Sequence, residues 1–121
     1  MHLYDAHNHL QAERFAGRQA KLLDECPEVQ RMVVNGCCEI DWPSVAALAE
    51  AHPQVLPSFG YHPWFIHERT SNWEKELNRL LDAYPAAVGE IGLDRWKEGL
   101  AYEGQEAVSY THLTLPTILL V

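Results

Sequence analysis

Four short apolar runs, evenly spaced and separated by helix-like stretches, leave this chain few folds to choose from. Leu3–Leu10, Arg31–Ile40, Val55–Tyr61 and Ala86–Asp94 each read as a strand. The second contains "MVVNGCCEI", a compact apolar run that suits a buried parallel strand. Gln11–Cys26 is rich in Ala, Leu, Lys, Arg and Glu and reads as a loop leading into a helix. "DWPSVAALAEAHP" reads as a helix started near Asp41, with Pro43 in its first turn, and stopped before Pro53. "TSNWEKELNRLLDAYP" carries the clearest helical pattern. Ser71 or Asn72 can cap it, Trp73, Leu77, Leu80, Leu81 and Tyr84 fall on one face, and Pro85 ends it. Gly99–Val108 begins a fourth helix. The order β-α-β-α-β-α-β with short connections predicts parallel strands joined by crossover helices, an α/β fold. Periodicity does not choose between an open sheet and a barrel.

Parallel α/β folds bind ligands beyond the C-terminal ends of their strands. The polar residues that interrupt this chain's apolar runs lie there: His7 and His9, Glu39, His62, then Glu90 and Asp94. On a strand, residues two apart face the same way, so "HNH" sets two imidazoles side by side. That is half of a divalent-metal site, and added carboxylates widen the choice of metal toward Mn and Mg. Alone, the pair is equally a pair of surface histidines. Glu90 strengthens the metal reading, because a carboxylate inside "AVGEIGLD" is costly to bury unpaired. The bland alternative is an ion pair with the nearby Arg95. His62, in "GYHPWF", ends the third strand beside a proline, and its plain reading is packing against Trp64 and Phe65. Glu39 reads as a solvated strand-end carboxylate, and Cys37 and Cys38 as buried small hydrophobes. His2, His52 and His67 have no supporting neighbours and read as surface.

Charge and cysteine usage narrow the function classes. Seventeen acids against nine Lys and Arg give a net charge of −8 over 121 residues, unlike a passive, basic nucleic-acid binder. A bound divalent cation can still invert the local sign for an anionic substrate. Three cysteines, two of them adjacent, make neither a disulfide framework nor a zinc spacing, which leads us to expect reduced thiols in a cytoplasmic protein. Met1–Asp5 has no basic leader character, and no apolar run reaches the ~18–20 residues of a membrane span.

"LYDAHNHL", "GYHPWF" and "AVGEIGLD", in this order and spacing, resemble the N-terminal half of the TatD family of metal-dependent hydrolases. The resemblance covers roughly Met1–Ala107. It implies the first half of a (β/α)₈ TIM barrel, truncated after about four β-α units. It also implies a centre of two divalent metals (Mg, Mn or Zn) and DNA as the substrate, cleaved at phosphodiester bonds. Matched position by position, His7 and His9 are first-strand metal ligands. Glu90 is the catalytic carboxylate shared between the metals, and His62 faces the substrate phosphate. Asp94 matches a family position without an assigned role. Gln11 departs from the family pattern, which more often has Asp or Asn there.

A complete barrel needs ~250 residues and eight strands, so this chain is expected to be inactive alone. From Val108 the text changes: "SYTHLTLPTILLV" has no Asp, Glu, Lys or Arg and resembles the translation of a sequencing adapter. The expected organisation is therefore residues 1–107 as the family segment and 108–121 as an atypical, non-native tail that packs poorly. The competing readings are an amide-bond hydrolase on the same barrel and a small non-catalytic α/β metal-binding or interaction domain.

Overall fold

A computed structural model of the protein describes residues 1–115. Its strands are β1 (Leu3–Asn8), β2 (Val29–Asn35), β3 (Val55–Phe59) and β4 (Ala87–Val88). They alternate with α1 (Gln19–Glu25), α2 (Trp42–Ala51) and α3 (Trp73–Ala83), and α4 (Tyr102–Leu113) follows β4. Short 3₁₀ turns occupy Glu13–Phe15 and Ile66–Glu68. The sheet is parallel throughout, in the order β1-β2-β3-β4. It is a curled half-barrel with the helices on its outside.

Alternation in the strands decides which side is covered. Met32, Val34, Val55 and Phe59 face outward and are buried under the helices. Leu77 and Leu80 of α3 and Val45 and Ala46 of α2 complete that core. Trp42 is fully buried and donates its indole N–H to the Gly60 carbonyl at 3.0 Å, which pins α2 to the end of β3. The inner side is different. Tyr4, Ala6, Arg31, Val33 and Leu56 line an open concavity, and Tyr4 is 72% exposed. A barrel interior needs its opposite wall to become dry.

The elements follow the sequence expectations, with boundaries that side chains explain. β2 stops at Asn35, short of Ile40, because the next turn wraps around Asp41. That carboxylate accepts the backbone N–H of Cys37 (2.9 and 3.0 Å) and of Cys38 (3.2 Å). Asp41 therefore does not cap α2, and Asn72, at the start of α3, makes no side-chain cap either. β4 is two residues long because the next two bend to neighbouring strand ends. Gly89 N–H reaches Phe59 O (3.0 Å) and Glu90 N–H reaches Gly36 O (3.0 Å). α4 runs without a break across position 107/108, and Val108, His112 and Leu115 are buried. Within Ser109–Leu115, His112 and Leu115 pack inside, while Tyr110 and Leu113 stand exposed, as poor packing of the tail would leave them. His112 finds an acceptor in its own helix and a donor at Tyr61, so this polar stretch is satisfied inside. The remainder of the tail, 116–121, lies outside the described residues.

Candidate metal centre

The turn after β2 is the frame of the site. Its backbone holds the two other strand ends: Gly36 O accepts from Glu90 N–H, and Cys37 O accepts from His62 N–H at 2.8 Å. Gly60 must be glycine for the same reason. A Cβ there would lie 2.6 Å from the Glu90 carbonyl oxygen. Three loops that are distant in sequence are thereby laced together at one end of the sheet.

On that frame His7, His9 and Glu90 converge. One ligand atom from each falls within 4.8 Å of the other two. The two Nε2 atoms are 3.2 Å apart, and Glu90 brings Oε1 to 3.6 Å from His7 and Oε2 to 3.2 Å from His9. His9 donates from Nδ1 to the Asn35 carbonyl at 2.9 Å, a bond that fixes the ring and leaves Nε2 as the lone-pair atom of the neutral side chain. An imidazole lone pair 3.2 Å from a carboxylate oxygen is repulsive unless a proton or a metal ion lies between them. Among the described residues no Lys or Arg pairs with Glu90, and Arg95 stacks over Tyr102 instead. The donor set of two imidazoles and one carboxylate fits a divalent metal ion.

His62 stands beside this cluster in the opposite tautomer. Its Nδ1 accepts the Trp64 backbone N–H at 3.1 Å, so the neutral ring carries its hydrogen on Nε2, 3.9 Å from Glu90 Oε1. Burial lowers its pKa, against the pull of the Glu90 and Asp94 charges. A neutral ring with N–H turned toward the centre is a hydrogen-bond donor, not a metal ligand. Asp94 lies outside the cluster. It accepts from the Trp64 indole and from the backbone N–H groups of Trp96 and Lys97, and these bonds hold its carboxyl below the usual range.

Two residues are placed differently from their sequence reading. Cys37 is not a simple core hydrophobe: its Sγ lies 3.6 Å from Glu90 Oε2 and 3.8 Å from His9 Nδ1. Burial, then the charges of Asp41 and Glu90, push its pKa far up, so it stays a thiol that donates to Glu90. Glu39 is no free carboxylate and takes no part in the centre. It accepts from the Tyr61 hydroxyl (2.7 Å) and from Thr70 N–H (2.7 Å) and Oγ1 (2.6 Å). Burial raises its pKa, but those bonds outweigh it and the net shift is downward. Gln11 was legible only as a departure from a pattern. Its amide N–H₂ bridges Asn35 O (2.6 Å) and Asp41 Oδ2 (3.0 Å), behind His9.

The TatD related DNase family model matches residues 4–118. The chain belongs to this family. Its fold superposes on the crystal structure of YjjV, a TatD homologue from Escherichia coli K12, with a TM-score of 0.83 and 26% identity. That match covers 92% of this chain and 45% of YjjV, so the chain spans less than half the length of its structural relative. No curated protein sequence matches it. TatD family members are metal-dependent hydrolases, and His7, His9 and Glu90 form a possible site for such a metal. Among the described residues no helix is long and apolar enough to cross a membrane.

Proposed function

We propose that this chain carries the first half of a metal-dependent deoxyribonuclease centre, with His7, His9 and Glu90 as ligands, Glu90 as the catalytic carboxylate and His62 as the contact to a substrate phosphate. The observation that carries the reading is the meeting of three metal-ligating side chains, from two strand ends, with no Lys or Arg paired to Glu90 among the described residues. When bound, a pair of divalent ions would activate water and steady the charge of a phosphodiester. The chain's own residues hold and aim. Asn35 O fixes the His9 ring, Cys37 and the Gly36 carbonyl hold Glu90, and His62 offers a neutral N–H to an anionic oxygen. Glu90 has two oxygens, as sharing between ions requires.

Alone, the chain offers three ligands from two strand ends, while a closed site usually has about four. It is therefore expected to bind metal weakly and to show no appreciable cleavage. Calorimetric titration of Mn²⁺, Mg²⁺ and Zn²⁺ should give a weak isotherm that a His7→Ala, His9→Ala double variant abolishes. Identical isotherms for the two would sink the ligand assignment. Robust metal-dependent DNA cleavage by the chain, lost in the double variant, would overturn the expected inactivity. The origin of residues 108–121 outside the natural gene is likewise a proposal, supported by their change of composition. A read of the source DNA through codon 108 tests it.

A further inference from the structure

The turn after Glu90 is built in a way that the metal centre does not require. Asp94 folds back on itself: Oδ1 accepts the N–H of Trp96 at 2.7 Å and of Lys97 at 3.2 Å, while Oδ2 takes the Trp64 indole. The sequence it fixes is Arg95-Trp96-Lys97, an aromatic between two cations in a chain of net charge −8. Each cation is seated on a ring. The Arg95 guanidinium lies 3.6 Å from the Tyr102 centroid, and the Lys97 ammonium 4.4 Å from the Trp64 centroid. Among the described residues Trp96 has no such partner, and it is 84% exposed. The turn adjoins the centre through a continuous set of contacts. Lys97 sits over Trp64, the Trp64 ring packs edge-on to His62 at 5.2 Å, and His62 Nε2 is 3.9 Å from Glu90.

We infer that Trp96 is a stacking platform for an unpaired nucleobase and that Lys97 meets the neighbouring phosphate. This rests on the nuclease reading and adds to it the residues that would hold the strand. An aromatic surface flanked by cations is what sequence-tolerant single-strand binding uses. Most of the ordering cost is met beforehand, because Asp94 and Trp64 fix the turn before any strand arrives. A base held on Trp96 would position the backbone beside Lys97 and His62, on the approach to Glu90.

The test uses the 121-residue chain and a fluorescein-labelled, single-stranded phosphorothioate oligodeoxynucleotide, followed by anisotropy in EDTA and in Mg²⁺. Trp96→Ala should weaken binding about tenfold and Trp96→Phe should restore most of it, with melting temperatures unchanged because the ring is exposed. Lys97→Ala should reduce the slope of log affinity against log salt by about 0.7, the share of one single-strand phosphate, while Trp96→Ala leaves that slope alone. Absence of binding by the parent chain, or equal binding by Trp96→Ala, would overturn the inference. The two readings fail separately. Trp96-dependent binding in EDTA by a chain that takes up no metal would remove the metal centre and keep the platform. Metal uptake lost in the His7→Ala, His9→Ala variant, with no response to Trp96→Ala, would do the reverse.

Discussion

His9 and His62 are two histidines held in opposite tautomers, and that difference separates a candidate ligand from a hydrogen-bond donor. The spacing of "HNH" made the pair legible, since two residues on a strand share a face. Which nitrogen is free depends on Asn35, 26 positions away, and on the turn at Trp64, so no local pattern could supply it. Cys37 was missed for a similar reason: adjacent cysteines in an apolar run look like core until Glu90 arrives from 53 positions on. His112 shows how completely burial can use a histidine. Its Nε2 accepts Tyr61 N–H at 2.9 Å, its Nδ1 donates to Val108 O at 2.7 Å, and burial lowers its pKa, opposed by that carbonyl. The unfolded chain then binds a proton near the ordinary pKa of about 6.5 while the folded chain resists it. Stability from this group is full above that value and is lost as the pH falls through it toward the lower folded value. Urea melts between about pH 7.5 and pH 5.5 should show a shallower pH dependence in His112→Gln than in the parent, by up to ~1.4 kcal/mol per pH unit. An equal dependence in both would mean that His112 is not held neutral.

Elements were more legible than their ends. The apolar face of α3 repeats at helical spacing, and Leu77 and Leu80 are indeed its buried residues. Strand ends were overread at β2 and β4, because apolar residues continue into turns that Asp41 and the Gly36 and Phe59 carbonyls bend away from the ladder. Those turns are long-range constructions and leave no periodic trace. Docking of α3 is the element-scale test. Leu77→Ala empties a fully buried position and should cost ~2–5 kcal/mol in urea unfolding. Lys75→Ala, on the exposed face, should stay within about 0.5 kcal/mol. Equal effects would show that α3 does not pack as described.

At the scale of the whole molecule, the helices cover one side of the sheet and leave the other open. The sequence predicted parallel strands, but it took the family resemblance to turn them into an arc. β1 is exposed along nearly its full length, whereas β2 and β3 have a partner on each edge and a buried outer face. Hydrogen exchange should therefore release β1 amides well before those of β2 and β3, since local opening follows burial and edge position. Uniform protection across the sheet would mean that the open side is covered in solution. The candidate ligands come from the two outermost strands, β1 and β4, which in a flat sheet would lie ~14 Å apart at ~4.8 Å per strand. Here His9 and Glu90 stand 3.2 Å from each other. An ion held at that point would act as a bowstring, tying the tips of the arc. Affinity and curvature would then be reciprocal: whatever tightens the bow would bind the ion better, and the ion in turn would hold the bow bent.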